Sequence, residues 1–116
     1  MSDEIINLAF LKSFTAGNAE KMNKYINLFL QHAPVLVRAM EDNLAKEDWS
    51  SLRSSAHSLK PQISYMGIKS GEELIKTIEL NAGEKINLLD LPFQIKTLKE
   101  ILDQAYPELK KVTGAV

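Results

Sequence analysis

The chain has no cysteine. That absence removes disulfides, thiolate metal sites and thiol catalysis. Glycine numbers five and proline four in 116 residues, so few positions interrupt regular structure. Strand-like alternation of apolar and polar residues is nearly absent. Neither sign of charge dominates. The formal net charge is -1, with no basic field for nucleic acid and no acidic tail. The pair Lys110-Lys111 is too short to change that. No apolar run approaches the roughly 20 residues of a membrane span. The N-terminus lacks a basic region followed by an apolar stretch, the mark of a secretory signal. No glycine-rich phosphate loop appears, so ATP binding by this chain alone is not expected. With two histidines and no cysteine, no structural zinc set is expected.

What is present is ordinary globular material: 45% apolar and 25% charged residues. The length suits one domain, residues 1–116, with a modest single core. A cytoplasmic location is the expectation. Met1 and the compact length lean toward a free-standing protein or a designed fragment.

Apolar residues recur at three and four, the helical spacing. A first segment over 4–15 carries Ile5, Leu8, Ala9 and Leu11 and is stopped by Gly17. A second starts near Asn18, with Glu20 in its first turn. Its stripe is Met22, Ile26, Phe29 and Leu30. Pro34 removes a backbone donor, which predicts a kink or break at Gln31 to Ala33 before helix resumes to Lys46. A third runs from an Asp48 N-cap to Met66, and Gly67 fits its end. A fourth covers Ser70 to Asn81, with Gly71 weakening its first turn and Gly83 ending it. A loop is expected over 83–89. The last helix starts near Asp90, with Pro92 in its first turn. Its stripe is Ile95, Leu98, Ile101, Leu102 and Ala105, and Pro107 bends its end. Residues 113–116 are expected to fray. Amphipathic helices on short connections bury their stripes against one another, so the prediction is an all-α, antiparallel helical bundle.

The stretch Asp48 to Ile68 says most about function. On a wheel of about 100° per residue with His57 at zero, Leu52, Ala56, Leu59, Ile63 and Met66 fall at roughly 180° to 260°. That is one apolar face, directed at the core. Arg53, Lys60, Pro61 and Ser64 fall within about 60° of His57, on the opposite side. The imidazole is therefore expected in solvent. Lys60, one turn along, is within reach of a group attached to the ring. Ser64 is small, and Gly67 at i+10 has no side chain to cover the surface. Free imidazole offers a nucleophilic lone pair near neutral pH. A nearby lysine would offset charge on a transferring phosphoryl group, since that chemistry is chiefly positioning and electrostatics. Against this stands the plain reading, an exposed histidine with no role.

The string Ala56-His57-Ser58-Leu59-Lys60-Pro61-Gln62-Ile63-Ser64-Tyr65-Met66-Gly67 resembles the signature of histidine-containing phosphotransfer domains. That pattern is Ala-His-x-Leu-Lys-Gly, four residues with an apolar one or two among them, and Gly. The likeness extends upstream through Phe29-Leu30-Gln31-His32-Ala33-Pro34 and Asp48-Trp49, and downstream from Ile68 to Leu80. It covers about residues 8–110.

The resemblance implies a four-helix bundle with flanking short helices. It implies His57 as phosphoacceptor, Lys60 as support for the phosphoryl charge, and Gly67 as the glycine closing the motif. In several members an amide or carboxylate 22 positions after the histidine bonds the ring nitrogen that is not phosphorylated. Glu79 holds that position here, and the alternative for it is a solvated glutamate. The partners implied are response-regulator receiver domains and a hybrid histidine kinase, which meet a monomer. Magnesium is expected on the receiver, and no cofactor on this chain.

One departure is Pro61, where the family usually has glycine. It cannot donate to the carbonyl of His57, which predicts a slight bend or an unpaired carbonyl there. It bears on partner specificity more than on the chemistry. Arg53, Pro61, Ser64, Tyr65 and Gly67 are the candidate docking residues. Tyr65 sits at about 80° on the wheel, at the rim of that surface or partly buried on a neighbouring helix. His32 reads as surface polarity, and Trp49 as core. The expected function is a phosphorelay intermediate. It takes a phosphoryl group on His57 from a receiver aspartyl phosphate and passes it to another receiver, with no turnover of its own. The rival is a module of the same fold that binds and sequesters a receiver without being phosphorylated.

Overall fold

A computed structural model describes residues 5–114. Among them are five α-helices and one 3-10 turn, and no strand. The helices are α1 (Ala9–Phe14), α2 (Ala19–Ala45), α3 (Trp49–Tyr65), α4 (Lys69–Glu84) and α5 (Leu91–Thr113). The all-α expectation holds. The four long helices pack in a closed cycle: α2 on α3, α3 on α4, α4 on α5, and α5 back on α2. Each contributes its stripe to one core. Ile26, Phe29, Ala33, Val37 and Met40 come from α2, and Leu52, Ala56, Leu59 and Ile63 from α3. Met66 and Ile68 are buried at the turn after α3, and Trp49 packs half-buried against the same core. Among the described residues, no helix is long and apolar enough to cross a membrane.

The helix starts follow local chemistry. Asn18 caps α2 by accepting from the Lys21 amide at 2.9 Å. Asp48 caps α3 by accepting from the Ser51 amide at 3.1 Å and the Ser51 hydroxyl at 2.7 Å. The two amide bonds each satisfy a backbone donor that the first turn leaves open.

Several boundaries differ from the sequence reading. The second helix is not broken at Gln31 to Ala33: α2 runs continuously through Pro34. One missing backbone bond is outweighed when Phe29, Ala33 and Val37 are buried on the same side. Pro61 and Pro107 likewise lie inside α3 and α5. The first helix begins at Ala9, later than expected, and residue 4 lies outside the described residues. The Asn7 side chain accepts from the Ala9 amide at 3.0 Å, while the Asn7 amide donates to the Met66 carbonyl at 3.3 Å. Those bonds hold the entering chain across the end of α3, so helix cannot extend backward. The fourth helix passes through Gly83 to Glu84, and Lys85 ends it in the left-handed conformation at φ 56°. The expected loop holds the 3-10 turn Leu88–Asp90. At the far end α5 includes Thr113 and stops at Gly114, φ 73°, while 115 and 116 lie outside the described residues.

Candidate functional site

The outer face of α3 and the facing side of α4 form the site. The buried stripe of Leu52, Ala56, Leu59 and Ile63 fixes the rotation of α3. His57 is thereby turned outward, with its side chain 66% exposed. Arg53, Pro61, Ser64 and Tyr65 are exposed as well, and Lys60 is half-buried. The helix wheel gave this orientation correctly.

Glu79 on α4 meets two of these residues. Its Oε2 lies 2.7 Å from His57 Nδ1, and its Oε1 lies 2.8 Å from Lys60 Nζ. The carboxylate is only 13% exposed. Burial pushes its pKa up, but hydrogen bonds from Lys60 and His57 outweigh that and hold it below the ordinary 4.5. An ionised carboxylate can only accept, so Nδ1 carries the ring proton. The Nε2 lone pair is then free on the exposed edge of the ring. Glu79 is thus a partner of the histidine rather than a solvated glutamate. Lys60 is less free than its spacing suggested, because it is bound to that same carboxylate.

The site continues as a groove between α3 and α4, lined by Arg53, Lys60, Lys76, Glu79, Leu80 and Gly83, with Glu84 at its edge. Lys76 and Leu80 were not singled out from sequence. Their signal was present, since Lys76, Glu79, Leu80 and Gly83 recur at three and four on α4.

At the other end of α3, Gly67 is not bare surface. It adopts φ 63°, and a Cβ there would overlap the Asn7 carbonyl oxygen. Glycine is needed for the backbone turn and for the crossing of the N-terminal segment. Tyr65 stacks on Phe10 of α1 with ring centroids 5.5 Å apart and on Phe14 at 6.1 Å. It remains 41% exposed, so rim exposure and packing on a neighbour coexist. His32 is exposed on α2, beside Tyr25 and Gln62 and apart from the His57 stripe. Among the described residues, no group of His, Asp and Glu side chains is arranged to hold a metal ion.

No curated protein and no solved structure matches the chain. A family model described as the Hpt domain matches residues 24–106. The match runs from early α2 into α5 and includes the whole His57, Lys60 and Glu79 cluster. The chain therefore belongs to the Hpt domain family, and with it to the phosphotransfer steps of two-component relays.

Proposed function

We propose that His57 is the phosphoacceptor, and that this chain carries a phosphoryl group from one receiver domain to another. The observation that carries the reading is the Nδ1 bond to Glu79 at 2.7 Å on an imidazole otherwise in solvent. In the forward step Nε2 attacks the phosphorus of a receiver aspartyl phosphate. The N–P bond forms as the P–O bond to the aspartyl oxygen breaks, and the electron pair leaves on that carboxylate. No proton needs to move, because Nδ1 already holds it. The ring then bears both Nδ1–H and Nε2–P and is positively charged. Glu79 offsets that charge and keeps the ring oriented. Lys60 is one turn from His57 and can lean from Glu79 toward the phosphoryl oxygens. The return step reverses these bonds onto a second receiver aspartate.

The chain is a carrier without turnover of its own. Magnesium belongs to the receiver, and a hybrid histidine kinase supplies the phosphate upstream. Arg53, Pro61, Ser64 and Tyr65, spread along the outer side of α3, serve as docking residues, with Gly67 shaping the turn at the end of the motif. The closed packing cycle of α2 to α5 supports an antiparallel four-helix bundle, a monomer rigid enough to present the histidine. A cytoplasmic location fits such a role.

The test is incubation with a phosphorylated receiver and measurement of acid-labile phosphate on the chain. Wild type takes up label, and His57→Gln takes up none. Label retained by His57→Gln would remove the assignment. Receiver binding with no transfer to wild type would favour sequestration instead.

A further inference from the structure

Gly83 lies within the last turn of α4, not after it. Glycine there weakens a helix relative to alanine. Its φ is not in the left-handed region, so the backbone does not require it. What lies over it is the Arg53 side chain. A Cβ on Gly83 would stand 2.8 Å from Arg53 Cδ and 3.0 Å from Nε. The far end of the arginine therefore crosses the bare backbone of α4.

Arg53 is one turn before His57 on the same exposed face of α3. The other two cations of the groove are engaged: Lys60 by Glu79 at 2.8 Å and Lys76 by Glu73 at 3.5 Å. Arg53 forms no ion pair with another described residue, although Glu84 borders the same groove. Beside it Leu80 is 55% exposed. A planar fork of donors next to an exposed leucine is suited to a carboxylate on a protein surface.

We propose that Arg53, aimed by its seat on Gly83, pairs with an Asp or Glu side chain on the receiver domain that docks over His57. This rests on the phosphoacceptor reading of that histidine. The pairing is with the partner and not with the phosphoryl group. Glu79 holds the Nδ1 edge of the ring, and Arg53 lies a further turn along α4, over Gly83. The phosphoryl group belongs on the opposite ring edge, at Nε2.

The experiment uses a phosphorylated receiver that labels the wild-type chain and follows transfer rate against receiver concentration. Arg53→Ala is expected to raise the half-saturating concentration about tenfold, with the rate at saturation unchanged. Arg53→Lys recovers little, because lysine lacks the fork. Gly83→Ala displaces the arginine and reproduces part of the effect. The double variant is no worse than Arg53→Ala, since both changes remove one contact. Added salt narrows the gap between wild type and Arg53→Ala. An unchanged half-saturating concentration in Arg53→Ala overturns the proposal. So does a loss confined to the saturating rate, which would put Arg53 on the transferring group, and so do additive effects of the two substitutions. Phosphoramidate, a small donor that needs no docking, separates the two readings. If it leaves wild-type His57 unlabelled, the phosphoacceptor reading falls and this pairing falls with it; if it labels wild type and Arg53→Ala alike, that reading stands and the receiver titration alone decides the pairing.

Discussion

The two faces of α3 obey different rules. The inner face is Leu52, Ala56, Leu59 and Ile63, all fully buried. Its contacts are non-directional and many, and its role is to lock the helix in place. The outer face is Arg53, His57, Lys60 and Ser64, which makes few contacts, each with a defined direction. There, one carboxylate from α4 orders both the imidazole and the lysine. The inner face supplies most of the stability, and the outer face holds the chemistry.

That contrast can be broken from either side. The largest expected effect on folding is at Leu59. Leu59→Ala should cost about 2–5 kcal/mol through lost burial and a residual cavity. Urea unfolding measures it, and a cost under about 1 kcal/mol would mean the inner face is loosely packed. Gly67→Ala comes next. It forces a side chain into the left-handed region and against the Asn7 carbonyl. The expected cost is about 1–3 kcal/mol, and amide exchange at Asn7 should accelerate as its bond to Met66 is lost.

The smallest effect is at Glu79. Its folded pKa is depressed, so its stabilisation is present above the unfolded value of 4.5 and is lost as pH falls through the lower folded value. Between pH 7 and about 3, wild type should lose more stability than Glu79→Gln. Matched urea titrations read the difference. Equal losses would show that the carboxylate contributes only as a hydrogen-bond acceptor. The same variant sharpens the chemical side. Glutamine can still accept from Nδ1 but cannot offset ring charge, so transfer to His57 should slow while receiver binding stays unchanged.

The proline at 61 also divides along these lines. Its inferred effect was local to the His57 carbonyl, and α3 nevertheless runs unbroken from Trp49 to Tyr65. A ring on the outer face meets no core side chain, so the cost is one backbone bond. Pro34 in α2 is half-buried beside Val37 and Tyr106, and of the expected kink or break the break is absent, since α2 runs continuously through it. A local rule about one missing donor was outweighed by burial distributed over the whole helix.

The sequence by itself determined the helical class, the Asp48 cap and the outward direction of His57. Each depends on residues within a few positions of one another, and helical periodicity carries that information directly. Lys60 one turn along was legible for the same reason. The pairing of His57 with Glu79 was reached only through family likeness, because 22 positions of separation say nothing about distance until α3 and α4 pack. Tertiary structure alone decided that Lys60 shares that carboxylate, that Gly67 accommodates the Asn7 backbone, and that Gly83 is a seat for Arg53 and not a helix stop. In each case the deciding atom belongs to a different element, and only the packing of the core brings it near.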